Sequence, residues 1–188
     1  MGHFVMRGRM IVEDDSAYQA WLARQPTFAQ WNARPKADVA AGQALYTVCA
    51  ACHGAQGEGN PAMNAPKLAG HGAWYLARQL LHFKQGARGA HSRDEFGKVM
   101  APMAATLADD AAVANVAAYI GTLPDKAAAP TVKGNALNGQ KRFVTCGTCH
   151  GADGRGIEAT NAPRLKGMST ASSIRSASTS RSGACSSF

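Results

Sequence analysis

Two pentapeptides carry most of the chemistry open to this chain: Cys49-Ala50-Ala51-Cys52-His53 and Cys146-Gly147-Thr148-Cys149-His150. In Cys-x-x-Cys-His, two thiols stand a helical turn apart and can each form a thioether to one porphyrin, the signature of covalent haem attachment. The adjacent imidazole then points into the ring face as an axial iron ligand. Zinc would need a fourth protein ligand close to each pair, and neither pair has one. A thioredoxin-like dithiol needs a strand–helix–strand setting, and no strand pattern competes here. Cys49, Cys52, His53, Cys146, Cys149 and His150 are therefore the expected cofactor-binding residues, with His53 and His150 on iron. No residue is assigned a catalytic role.

The motifs lie 97 residues apart, and their flanks repeat with them. At that offset 42–70 aligns on 139–167 without a gap, and 15 of the 29 positions are identical. Among the identities are Gly42, His53, Gly57, Gly59, Asn64, Pro66 and Leu68; Tyr46 becomes Phe143, and Lys67 becomes Arg164. A period near 100 residues is the size of a domain, so the chain reads as a duplicated small domain. The identity stops after Gly167. From Ser169 to Phe188, nine residues are Ser and the only sizeable apolar ones are Ile174 and Phe188. That composition predicts a disordered tail, and a frameshift or cloning scar is the expected origin.

Helical periodicity positions the motifs. Val39–Cys52 reads as a short amphipathic helix, Gly54–Gly59 as a loop, and Trp74–Phe83 as a second helix ending near Gly86. Gly86–Lys98 reads as a polar loop. A last helix starts at Asp109 or Asp110, either of which can cap it, and stops at Gly121 and Pro124. The expected fold class is all-α: linker 30–38, first domain 39–125, linker 126–134, incomplete second copy 135–168, tail 169–188.

This layout resembles class I cytochrome c, over about Lys36–Asp125 and in part over Asn135–Gly167. The resemblance implies that Gly42 and Tyr46 meet Tyr119 where the first and last helices cross. It implies that the Pro66 carbonyl receives His53 Nδ1, and that Leu68 lies on the haem. It also implies a Met sixth ligand, which raises the reduction potential into the electron-carrier range. Met100 and Met103 are the candidates. The family's ligand lies seven residues before a Leu preceding the last helix, so Leu107 favours Met100. The second copy has no counterpart, and Met168 is its only nearby thioether. His71, His82 and His91 read as surface or satisfied residues.

The segment 1–29 looks different. His3 and Met6 have the His-x-x-Met spacing, Met10–Val12 suits a strand and Ala17–Leu22 a helix. This resembles the end of the cupredoxin-like copper-A domain of cytochrome c oxidase subunit II. On that resemblance His3 and Met6 would serve copper A only in a full-length parent with two upstream cysteines. The haem domains would pass electrons from a donor to copper A and the oxidase catalytic subunit. The alternatives are a free periplasmic two-haem carrier or a two-haem peroxidase.

Composition narrows the partners. The formal net charge is +8. Lys36, Lys67, Arg78, Lys84, Arg88, Arg93 and Lys98 are expected to form a basic docking face for acidic redox partners. They are not interleaved with stacking aromatics, so no nucleic-acid partner is expected. Haem attachment implies the periplasmic side of the inner membrane. Met1–Met10 has no signal-peptide pattern and no run is long enough to span a bilayer, so membrane association is expected only through segments missing from the N-terminus.

Overall fold

A computed structural model describes residues 12–25, 36–127 and 133–168. The chain divides into two units, Met1–Lys36 and Ala37–Phe188.

The described part of the first unit is one helix, α1 (Asp15–Ala23), capped by Asp14, whose carboxylate accepts from Ala17 N at 2.8 Å. Tyr18 and Trp21 stack on its surface at 6.0 Å, and none of its residues is buried. Val12, the described end of the expected strand, has no regular structure. His3, Met6, Met10 and Ile11 lie outside the described residues, as do most of the first linker and the Ser-rich tail.

The regular elements described in the second unit are helices, in line with the expected all-α class. Its first helix, α2 (Val39–His53), starts at Asp38, which accepts from Ala41 N at 3.0 Å. Then come α3 (Ala73–Lys84), α4 (Glu95–Ala105) and α5 (Asp110–Thr122). The second copy contributes α6 (Ala136–His150), capped by Asn135. Among the described residues the only β pairings are the isolated bridges Asn60–Ala65 and Ile157–Ala162. No described helix is long and apolar enough to cross a membrane.

α2 lies chiefly against α5, and α3 against α5 and α4. Gly42 makes the α2–α5 crossing close: a Cβ there would overlap the carbonyl of Asn115. One turn on, Tyr46 meets Tyr119 at 5.4 Å between ring centroids. Tyr46 is buried, and its hydroxyl donates to the Gly54 carbonyl at 2.7 Å. Leu76, Leu107, Val113, Val116, Ala117 and Ile120 complete the core. Burying each of its Val, Leu and Ile side chains contributes about 1.5–3 kcal/mol.

The expected polar loop Gly86–Lys98 is shorter than its residues suggest, because α4 begins at Glu95. Gly97 and Pro102 read as helix breakers, yet both lie inside α4. The Asp94 carboxylate caps the helix start by taking two backbone N–H groups, from Gly89 and Gly97, each at 3.0 Å. This helix carries Met100 and Met103.

Candidate haem-binding site

α2 ends at His53, and the chain must turn back to reach its ring. Gly59, at φ 82°, allows the return, since a Cβ there would sit 2.6 Å from Lys67 N. The backbone then closes on itself: Gly59 N donates to His53 O at 2.8 Å, Asn60 pairs with Ala65, and Leu68 N donates to Gly57 O at 2.8 Å. The turn brings the Pro66 carbonyl 2.8 Å from His53 Nδ1. A carbonyl only accepts, so Nδ1 carries a proton, and in the neutral ring the lone pair falls to Nε2. That is the tautomer an iron ligand needs, and the bond also fixes the ring plane.

The His53 ring borders a cavity of about 750 Å³, walled by Cys49, Leu68, Leu80, Phe83, Met100 and Met103 among others. The walls are mainly apolar and match an apolar macrocycle. Burial pushes the Cys49 thiol above its ordinary range, so before attachment it stays protonated. Met100 is half-buried, whereas Met103 is 37% exposed.

His71 was expected to be a surface or satisfied residue and is neither. It is 8% exposed, lines the cavity, and its Nδ1 has no hydrogen-bond partner among the described residues. Burial first, then the Arg164 and Lys67 cations, lower its pKa to about 4. An orphaned polar atom on a mainly apolar wall fits a guest with a polar edge, as haem has. His82 also lines the cavity, and burial lowers its pKa. His91 is exposed and accepts from Arg93 N at 3.1 Å, in keeping with its surface reading.

The second copy rebuilds the same turn. His150 Nδ1 lies 2.7 Å from the Pro163 carbonyl, and Gly156 N donates to His150 O at 2.8 Å. Cys146 and Cys149 sit on the last turn of α6 as Cys49 and Cys52 do on α2. Pro163 and Met168 join the wall of the first copy's cavity.

Residues 39–124 match the cytochrome c family. Cytochrome c4 of Pseudomonas aeruginosa is 37% identical over 139 residues, which cover 70% of this chain and 65% of that protein. The thiosulfate dehydrogenase electron acceptor of Thiomonas intermedia is 40% identical over 134 residues, covering 65% of this chain and 58% of that protein. The chain thus spans less than two-thirds of the length of either relative. The crystal structure of reduced cytochrome c4 from Pseudomonas stutzeri superposes with a TM-score of 0.51 at 30% identity, over 70% of this chain and 74% of that one. The chain belongs to the cytochrome c4-like dihaem cytochromes c.

Membership in the cytochrome c4-like group overturns the subunit II reading of the N-terminal segment. His-x-x-Met and a Trp-Leu helix are short patterns that many chains satisfy, and the described part of that segment is a solvent-exposed helix without a sheet. Copper A and a cupredoxin remnant therefore have no support. Covalently held haem c and electron transfer come with the cytochrome c4-like family.

The expected basic face also needs correction in this cytochrome c4-like chain. Lys67 is 4% exposed and turned inward, with Nζ donating to Asp125 Oδ1 at 2.6 Å. Arg78 donates to Asn161 Oδ1 at 2.8 Å, Lys84 to the Leu107 carbonyl, and Arg88 lies over the Phe83 ring at 4.3 Å. Arg93 and Lys98 are exposed. Partial burial pushes the Asp125 carboxyl up, but hydrogen bonds from Lys67 and Arg164 outweigh it and hold the group below the ordinary carboxylate range. A carboxyl depressed on folding adds stability above its unfolded value of ~4, and that stability disappears as pH falls through the lowered value. Thermal midpoints of the parent and Asp125→Asn should therefore differ at neutral pH and converge in acid. A constant gap down to the acid end would mean that the ion pairs contribute nothing.

Proposed function

We propose that this chain is a periplasmic two-haem electron carrier that moves between redox proteins, and not a fixed arm of an oxidase. Cys49, Cys52, His53 and Met100 hold the first haem; Cys146, Cys149 and His150 hold the second. The observation that carries the reading is the repeated hydrogen bond from the axial imidazole to a proline carbonyl, at 2.8 Å in one copy and 2.7 Å in the other. When bound, haem supplies reversible one-electron storage.

The chain does the rest. The Pro66 and Pro163 carbonyls orient the imidazoles and raise their basicity. Leu68, Leu80 and Phe83 keep water from the first cavity, and Met100 offers a thioether, which favours the reduced state. The relative from Thiomonas intermedia is named an electron acceptor of thiosulfate dehydrogenase. On that likeness the donor is a dehydrogenase, met through weak and fast docking to which exposed Arg93 and Lys98 contribute.

A pyridine haemochrome assay on the matured chain should give two haems per chain. Met100→Leu should abolish the weak red absorption band of sulfur–iron ligation and lower the first midpoint potential, while Met103→Leu keeps both. One haem or none per chain would defeat the two-haem reading, and loss of the band in Met103→Leu alone would move the ligand to Met103.

A further inference from the structure

Lys67 and Arg164 occupy the same position in the two copies, each directly after the proline whose carbonyl holds the axial histidine. Both reach one carboxylate. Lys67 Nζ lies 2.6 Å from Asp125 Oδ1, and the Arg164 guanidinium 2.5 Å from Asp125 Oδ2. Their surroundings differ. Lys67 stays within its own copy and also donates to the Lys126 carbonyl. Arg164 crosses over, giving Nη1 to the first copy's Gly70 carbonyl at 2.8 Å while Nε donates to its own Lys166 carbonyl at 2.6 Å. It is mostly buried, with 15% of its side chain exposed.

A second contact joins the same loop of copy two to copy one. Arg78 on α3 donates to Asn161 Oδ1 at 2.8 Å and to its carbonyl at 3.4 Å. Arg78 in turn lies 4.8 Å from the Trp74 ring, which restricts its freedom. Both cross-copy contacts therefore end on the loop that carries Pro163 and fixes His150.

We propose that Arg164 is a positioning residue: its fork onto Asp125 and Gly70 latches the His150 loop to the first copy and sets the mutual orientation of the two haem-bearing loops for electron exchange between them. The latch rests on the two-haem reading above. The exchange it serves moves one electron from the reduced copy to the oxidised one, with no bond made or broken. Planarity matters, because a guanidinium presents its donors as a rigid fork with set directions, whereas an ammonium is a point charge on a flexible stem. Without such a latch, two small domains joined by a short linker move relative to each other by default.

The test uses the full haem-loaded chain with Arg164→Gln, Arg164→Lys and Asp125→Asn. Arg164→Gln leaves the Lys67–Asp125 pair intact, so the first copy keeps its fold. Haem per chain and both midpoint potentials are measured first; a chain with one haem would fail the two-haem reading and not the latch. Flash reduction then gives the rate of equilibration between the copies, and small-angle scattering their separation. Arg164→Gln and Asp125→Asn should slow equilibration by about tenfold or more, as loss of a positioning contact does, with potentials unchanged and a larger radius of gyration. Arg164→Lys should fall between them and the parent. Equilibration and radius within error of the parent in Arg164→Gln would overturn the latch, as would a slower rate traced wholly to a shifted potential.

Discussion

His53→Ala should cut the haem content of the matured chain by about half and leave the first copy largely unfolded. Two losses coincide. The axial ligand goes, and the Pro66 carbonyl loses the donor that lies 2.8 Å away. An unsatisfied acceptor costs about 1–3 kcal/mol when buried, and less at this part-buried carbonyl. The larger effect is the cavity. A space of about 750 Å³ lies beside the small core of a domain matched over residues 39–124. Without a guest its apolar walls stay exposed to water at about 25 cal/mol per Å², a large loss against the ~5–15 kcal/mol stability of a whole domain. The pyridine haemochrome assay and far-ultraviolet circular dichroism measure both losses. Two haems per chain with parental helicity in His53→Ala would refute the assignment of His53.

Gly42→Val should destabilise the first copy by about 3 kcal/mol or more, at the upper end for overpacking. The contact is with backbone, since a Cβ at position 42 meets the Asn115 carbonyl and, at 2.9 Å, Tyr119 Cβ. A flexible side chain could swing away, but α2 and α5 would have to separate, and the Tyr46–Tyr119 contact would separate with them. For a domain of this size the thermal midpoint should fall by about 10 °C or more. Gly121→Ala is the control. It lies on α5 as well, but its Cβ would meet only Ala73 Cβ, at an ordinary 3.7 Å. A Gly to Ala exchange in this last helical turn should be neutral or stabilise by at most about 0.5–1 kcal/mol. Equal midpoints for Gly42→Val and the parent would remove the close crossing from the account of the fold.

What the sequence revealed was what is written along the chain. The Cys-x-x-Cys-His motifs, the cap at Asp109 or Asp110 and the 97-residue repeat are local patterns, and helical periodicity marked the two helices of the crossing. The turn that puts Pro66 on His53 was legible only through the family resemblance. What stayed hidden depends on partners far along the chain. Lys67 looks like any surface cation until Asp125, 58 residues later, is seen to hold it inside. His71 looks ordinary because its burial comes from packing around the cavity, which no periodicity records. The start of α4 reads as polar loop, because the packing on α3 that sustains this helix leaves no local pattern. The copper-A expectation failed for the opposite reason: a short pattern was given weight that only a surrounding sheet could justify.

The turn after each haem motif has one further consequence. Its backbone takes the same angles twice: φ 82° and 81° at Gly54 and Gly151, 53° and 54° at Asn64 and Asn161, 82° and 84° at Gly59 and Gly156. Around the first turn stand α3, α4 and α5; the second closes behind α6, whose residues are none of them buried. A conformation reached in two such different settings is encoded by its own few residues. It is a portable part: cut at the helix end and after the glycine two residues beyond the repeated leucine, it should carry its oriented imidazole into an unrelated helical scaffold.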